Sequence, residues 1–251
     1  MRINKLALTN FRSYNSLELD LEPGVITFIG DNGSGKTNIA ESLIYLAFLS
    51  SHRVANNVPL ISLGNQQAII RAEVQRDDRT LQIDLEINAS KANRARINGN
   101  PTRSQRELLG AIQIVYFSPE DLDLVRGEPG NRRDFLDRLL ITRTPRLAGV
   151  IADYERVVKQ RNALLKTRTS AAALVPWNEQ LIKLGAELTA ERIALIDALN
   201  PWVTKNYANL NEVKPASISY KCSTEGVTKD VEENVAALTS RLEEVAYQEI
   251  E

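Results

Sequence analysis

The sequence contains very little of the chemistry that most metal and hydrolase sites use. Among 251 residues there is one cysteine, Cys222, and one histidine, His52. A disulfide needs two cysteines, and zinc sites and Ser-His-Asp triads draw on Cys, His and acidic side chains in combination. The composition therefore excludes an internal disulfide and a Cys/His metal cluster. We expect His52 to be a surface or packed residue without a catalytic role.

Long apolar runs and a strong net charge are also missing. No stretch approaches the roughly 20 apolar residues that cross a bilayer, and the amino terminus becomes polar too early for a secretory signal. Lysine and arginine number 31 and aspartate and glutamate 32, which gives a formal charge of −1. No global field attracts the protein to nucleic acid or acidic lipid. These features predict a cytoplasmic protein without membrane contact, on which any basic patch is local.

The hydrophobic pattern changes along the chain. Alternating or short apolar runs predict strands at residues 2–8, 17–21, 25–29, 68–74, 80–87, 93–98 and 111–117. A helical period predicts helices at 132–141 and 145–167 and from Pro176, Pro201 and Asp230, with one more strand at 213–222. We predict a head lobe of residues 1–125 and a mainly helical lobe of residues 126–251, in which two long helices form a short antiparallel arm.

The segment GDNGSGKT, residues 30–37, matches the phosphate-loop pattern G-x-x-x-x-G-K-[ST] in full and lies between a predicted strand and a predicted helix. Its glycines allow successive backbone N–H groups to point at phosphate oxygens, and the positive end of the following helix adds to the attraction. Lys36 is expected to reach the β- and γ-phosphates, and the Thr37 hydroxyl to bind Mg²⁺. The pattern therefore predicts binding of a nucleoside triphosphate with Mg²⁺.

Several further motifs surround this loop. They are LALTNFRSY at residues 6–14, Asn38 and Glu41 after the loop, SHR at 51–53, FSPEDL at 117–122, LVRG at 124–127 and RRDFLD at 132–137. Together with the loop they resemble the SMC and RecF branch of the ABC-type ATPases, and the later motifs narrow the resemblance to the RecF family. The resemblance extends from residue 2 to about residue 200.

The resemblance implies both a fold and a function. The fold is α/β, an ABC/SMC-type ATPase head lobe with a mixed sheet, joined to the mainly helical second lobe. The function is that of an ATP-dependent DNA-binding protein of recombinational repair, replication and the SOS response. Such a protein forms an ATP-dependent homodimer, clamps double-stranded or gapped DNA, and works with RecO and RecR to load recombinase.

The resemblance also implies site residues. Those expected to bind ATP are Gly30, Asp31, Asn32, Gly33, Ser34, Gly35, Lys36, Thr37, Asn38, Asn10, Arg12 and Arg53. Residues 126–170 hold eleven lysines and arginines against five acids, which suits phosphate contacts. The candidates for DNA binding are Arg53, Arg132, Arg133, Arg143 and Arg146. The alternative, that this stretch is a solvated helix face with intrahelical ion pairs, stays open.

Two family motifs are missing. No serine-glycine-glutamine signature and no apolar strand ending in paired acids, the Walker B motif, follows Thr37. We therefore assign no catalytic residue, expect nucleotide binding without efficient hydrolysis, and expect the chain to lack the family's carboxy-terminal portion. The competing function is a P-loop kinase or another small-molecule NTPase. A kinase usually continues with a parallel sheet, whereas the sequence predicts an antiparallel meander after the loop helix.

Overall fold

The computed structural model describes residues 1–54, 56–167, 170–210 and 214–250. The chain divides into two compact units. The first contains residues 1–125 together with 141–143, and the second contains residues 126–140 together with 144–251. The sheet and the phosphate loop belong to the first unit, and the long helices belong to the second.

The first unit is built on one six-stranded sheet. Its strands are β1 (Arg2–Phe11), β2 (Tyr14–Asp20), β3 (Gln67–Arg76), β4 (Arg79–Asn88), β5 (Arg94–Ile97) and β6 (Asn100–Pro101). Their order is β2-β1-β3-β4-β5-β6, and every pairing between them is antiparallel. The predicted strands at 2–8, 17–21, 68–74, 80–87 and 93–98 are confirmed. The sheet differs from the expected mixed sheet, because no parallel pair occurs among these strands.

Alternation along the strands places one face of the sheet in the core. Leu6 and Leu8 of β1 and Ile83 and Leu85 of β4 are almost completely buried, as a period of two requires for a sheet covered on one side. Helix α1 (Lys36–Phe48) contributes the buried Tyr45 to the same core. The core thereby fixes α1, which carries the end of the phosphate loop, against the sheet.

Two apolar segments predicted as strands, residues 25–29 and 111–117, form no strand. Their most exposed apolar side chains, each more than four-fifths exposed, are Val25, Ile29, Val115 and Phe117. An apolar run becomes a buried strand only where neighbouring strands pair with its backbone and cover its faces. In the described part of the chain no strand pairs with either segment, and the one backbone bridge within them joins Ile112 to Leu109, so both predictions are wrong for this structure.

The remaining helices are α2 (Asp123–Arg126), α3 (Pro129–Arg143), α4 (Leu147–Lys166), α5 (Ala171–Ala208) and α6 (Val231–Ile250). Asp230 caps α6 by accepting from the backbone N–H groups of Glu232 and Glu233, which confirms the predicted start. Described residues 214–222 contain no strand, contrary to the prediction for 213–222, whose first residue lies outside the described ranges.

The helices predicted to begin at Pro176 and Pro201 are one helix of 38 residues, with both prolines inside it. An interior proline removes a backbone hydrogen bond and crowds the preceding turn, so it normally ends a helix. In this unit α5 packs against both α4 and α6, and that packing outweighs the local preference. No helix in the described ranges is long and apolar enough to cross a membrane.

Candidate nucleotide-binding site

The phosphate loop leads directly into α1. Gly35 is the residue before the helix and has a φ of 99°, a left-handed conformation that glycine adopts without the steric cost of a Cβ. Residues 30–34 are exposed. Within the described ranges, the backbone N–H groups of Lys36 and Thr37 find no protein acceptor. Exposed N–H groups at the start of a helix are the groups that bind anions.

The Lys36 ammonium group lies over its own loop. Its Nζ donates to the carbonyl oxygens of Gly30 and Asp31, each at 2.7 Å, and lies 3.4 Å from the Ser34 hydroxyl oxygen. The loop thus curls around the end of the lysine side chain. A phosphate group at the start of α1 would replace these carbonyls as a stronger, charged partner for the ammonium group.

Gly35 is held close to the turn between β1 and β2. A Cβ at this position would lie 2.7 Å from the Tyr14 hydroxyl oxygen and 2.9 Å from the Ser13 hydroxyl oxygen. Asn38 donates from Nδ2 to the same Ser13 oxygen at 2.9 Å. The β1–β2 turn therefore supports the first turn of α1 from one side, and a larger residue at position 35 would have to displace the Ser13 and Tyr14 side chains.

Glu41 is the centre of a buried polar cluster one turn into α1. Its carboxylate is fully buried. Arg12 donates to it from Nε at 2.9 Å and from Nη2 at 2.6 Å, Ser51 donates at 2.5 Å, and Arg53 donates from Nη1 at 3.1 Å. Arg53 Nη1 also donates to Asn38 Oδ1 at 3.1 Å. One carboxylate therefore connects the β1–β2 turn, α1 and the segment after α1.

The same cluster keeps Glu41 ionised. Burial by itself would raise the pKa of Glu41, but the hydrogen bonds from Arg12 and Ser51 and the charges of Arg12 and Arg53 outweigh it, so the pKa lies below its ordinary value. A buried carboxylate is stable only with such donors around it. The two arginines are consequently fixed beside the loop by a permanent negative charge.

Comparisons with known proteins decide the family. The sequence model of the AAA ATPase domain matches residues 1–234. A protein of Streptomyces avermitilis named DNA replication and repair protein RecF is 45% identical over 262 residues, which cover 100% of this chain and 70% of that protein. The chain belongs to the RecF family. RecF proteins of Rhodococcus erythropolis and Kineococcus radiotolerans are 46% and 50% identical and cover 99% and 78% of the chain.

The chain spans about two thirds of the Rhodococcus RecF protein and about half of the Kineococcus one, 64% and 52% of their lengths. Among solved structures, one titled as the recombination mediator protein RecF with ATPrS matches with a TM-score of 0.92 at 23% identity, over 99% of this chain and 68% of that chain. A second, titled RecF-ATP, matches with a TM-score of 0.82 at 22% identity, over 100% and 69%. These matches show that the fold is that of RecF structures.

The residues expected at the RecF nucleotide site are distributed around the loop. The Arg12 guanidinium group is hydrogen-bonded within the protein, because its Nη1 donates to the Pro59 carbonyl at 2.8 Å in addition to its two hydrogen bonds with Glu41. Asn10 has a φ of 51°, and its carbonyl accepts from the backbone N–H of Ser62. Thr37 is exposed on α1. Contact of these residues with a nucleotide stays a prediction.

The candidates for DNA binding differ in their surroundings. Arg132, Arg133, Arg143 and Arg146 are all exposed. Arg146, however, forms ion pairs with Glu187 at 2.5 Å and with Glu191 at 3.3 Å. These two acids reduce the electrostatic attraction between Arg146 and a DNA phosphate. Arg146 is therefore the weakest of the four candidates for DNA binding.

Sequence reasoning missed the residues that support the loop. The motifs around the loop contain Ser13, Tyr14, Glu41 and Ser51, but the sequence predicts none of them as a site residue. The available signal was an acid at position 41 among the apolar residues of the loop helix, because a buried acid requires a basic partner. No group of three or more His, Cys, Asp and Glu side chains in the described ranges could hold a metal ion.

Proposed function

We propose that this chain binds ATP through residues 30–37 as the nucleotide-binding part of a RecF-type DNA-repair protein. The observation that carries the proposal is the loop that curls around Lys36 at the start of α1, where the backbone N–H groups of Lys36 and Thr37 have no acceptor among the described residues. This arrangement offers backbone donors, a helix dipole and one ammonium group to a chain of phosphates. Membership of the RecF family and the names of its relatives support ATP as the nucleotide.

The exposed Thr37 hydroxyl would hold Mg²⁺ together with phosphate oxygens, and the metal would neutralise phosphate charge. The hydroxyl stands at the second position of α1, beside the proposed phosphate site. We propose that the chain binds nucleotide without efficient hydrolysis, since its sequence has no Walker B carboxylates and no signature serine. A small-molecule kinase is disfavoured, because the sheet that follows α1 is an antiparallel meander.

We further propose double-stranded or gapped DNA, RecO, RecR and a second protomer as partners, acting in the cytoplasm in recombinational repair. The support for these partners is the family alone. DNA contact through the exposed candidate arginines Arg132, Arg133 and Arg143 would be strongly dependent on salt, because each phosphate contact releases counterions. Homodimer formation driven by ATP would bring a second phosphate loop to the same complex.

The test is calorimetric titration of the chain with ATP and Mg²⁺. We expect wild type to bind, Lys36→Ala to abolish binding and Thr37→Ala to weaken it. Lys5→Ala is the matched control, because Lys5 is an exposed lysine of β1 that pairs with Asp20. Equal affinities of wild type and Lys36→Ala would overturn the proposed function.

A further inference from the structure

Glu41 carries one negative charge but contacts two guanidinium groups. Arg12 reaches it from the β1–β2 turn and Arg53 from the segment after α1, and Ser51 adds a hydroxyl donor. One carboxylate neutralises one arginine, so this ion-paired cluster carries an excess of one positive charge. That excess lies beside the helix end at which the phosphates are expected.

The two arginines use their donors differently. In Arg12, Nε, Nη1 and Nη2 all donate to protein acceptors, and the side chain is 15% exposed. Arg53 donates only from Nη1, and its side chain is 42% exposed. In the described part of the chain Arg53 Nε and Nη2 have no protein acceptor. The excess charge is thus available on Arg53 and not on Arg12.

The anchoring of Arg53 also fixes where its remaining donors lie. Its Nη1 donates to both Glu41 Oε2 and Asn38 Oδ1, each at 3.1 Å. Asn38 is the third residue of α1, so the guanidinium group lies beside the first turn of the helix. Ser51 restrains the backbone of Arg53 as well, because its hydroxyl oxygen accepts from the Arg53 N–H at 3.0 Å.

We propose that Glu41 is a positioning residue of the nucleotide site, which anchors Arg53 through one nitrogen and presents its remaining donors to the phosphates of the bound nucleotide. The inference rests on the proposed function, because it requires a phosphate at the start of α1. A planar guanidinium group held by one nitrogen is pre-organised, so less conformational entropy is lost when a phosphate binds the others.

The experiment is a double-mutant cycle on ATP affinity, with Mg²⁺, in the full chain. A hydrogen bond to a charged group contributes enough that Arg53→Ala should weaken ATP binding about tenfold. Glu41→Gln keeps the shape but removes the charge and should weaken binding by a similar factor. The double variant should bind no worse than Arg53→Ala, because both changes remove the same contact with the phosphates.

Asp84→Asn is the matched control, since it removes a carboxylate that pairs with an arginine, Arg71, on the sheet away from the loop. It should leave ATP affinity unchanged. If Glu41→Gln does not fold by circular dichroism, Ser51→Ala replaces it, because this change loosens the link between Glu41 and Arg53 and leaves Arg12 paired. Its effect should likewise vanish in the Arg53→Ala background.

The outcomes separate the two proposals. If Lys36→Ala abolishes binding but the effects of Glu41→Gln and Arg53→Ala multiply, Glu41 acts on the loop through folding and the positioning role is wrong. If Arg53→Ala binds ATP as wild type does, the positioning role is wrong as well. If wild type and Lys36→Ala bind equally, the proposed function fails and the inference fails with it.

Discussion

Arg12 and Glu41 form a bidentate ion pair in which both carboxylate oxygens accept from one guanidinium group, at 2.6 Å and 2.9 Å. The pair joins the β1–β2 turn to α1, and Glu41 is fully buried. Arg12→Ala would leave a buried carboxylate with only Arg53 and Ser51 as donors. We expect a loss of about 3 kcal/mol in the free energy of unfolding, measured by denaturant titration without nucleotide.

Lys5→Ala provides the comparison for this loss. Lys5 pairs with Asp20 at 3.4 Å, and both side chains are largely exposed. An exposed ion pair contributes at most about 1 kcal/mol. A loss for Arg12→Ala no larger than that for Lys5→Ala would show that the buried pair does not stabilise the unit.

The low pKa of Glu41 predicts how stability depends on pH. In the folded chain the pKa lies below its ordinary value of 4.5, because the donors from Arg12 and Ser51 outweigh burial. The ionised group therefore stabilises the fold above about 4.5, and this contribution is lost as the pH falls through the folded pKa. Glu41→Gln removes the contribution at every pH.

Denaturant unfolding of wild type and Glu41→Gln from pH 7 to pH 3 tests this point. The difference in unfolding free energy should be largest at pH 7 and should shrink below pH 4.5. Other carboxylates titrate in both proteins and cancel in the difference. A difference that stays constant across this range would mean that the pKa of Glu41 is the same in the folded and the unfolded chain.

The strands of the meander could be predicted from sequence because each covers one face of a core. In β4, Ile83, Leu85 and Ile87 alternate with polar residues, and the structure buries all three. A period of two needs no knowledge of the neighbouring strands. The runs at 25–29 and 111–117 are apolar on both faces, and such a run requires neighbours on both sides. Sequence pattern cannot say whether the rest of the chain provides them.

The same distinction applies to the site. The phosphate loop could be predicted because its chemistry is local, with glycines and Lys36 within eight residues. The cluster around Glu41 could not, because its donors Arg12 and Arg53 lie 29 and 12 positions away in sequence. A charged residue in a helix pattern is on average exposed. Only the packing of α1 on the sheet reveals that this one is buried.

Gly35 should be more sensitive to substitution than other glycines with positive φ. Gly35→Ala brings a Cβ within 2.8 Å of the Tyr14 ring carbon Cζ, whereas Gly64, with a φ of 84°, has open space around it. Gly64→Ala should cost about 1 kcal/mol for its left-handed backbone alone. Gly35→Ala should lose a further 1–3 kcal/mol, roughly, from the steric overlap.

Thermal unfolding of both variants, together with ATP titration, measures the two effects. Gly35→Ala should weaken ATP binding as well, because relief of the overlap displaces the start of α1, whereas Gly64→Ala should bind as wild type. Equal stability losses for the two variants would show that the steric overlap with Tyr14 does not destabilise the Gly35→Ala variant.

Arg133 and Arg146 provide a matched pair for the proposed DNA contact. Both are exposed arginines of the second unit, but Arg146 is paired with Glu187 and Glu191, whereas Arg133 forms no ion pair in the described ranges. DNA binding measured by fluorescence anisotropy across salt concentrations should weaken for Arg133→Ala, with a salt slope reduced by about one. Arg146→Ala should change affinity and slope less, because a phosphate must first displace two carboxylates from its guanidinium group.

If Arg146→Ala has the larger effect, Glu187 and Glu191 release Arg146 when DNA binds. The ion pairs of the unbound protein would then be the wrong basis for ranking these two arginines as DNA contacts. If neither variant differs from wild type, DNA does not contact this part of the second unit.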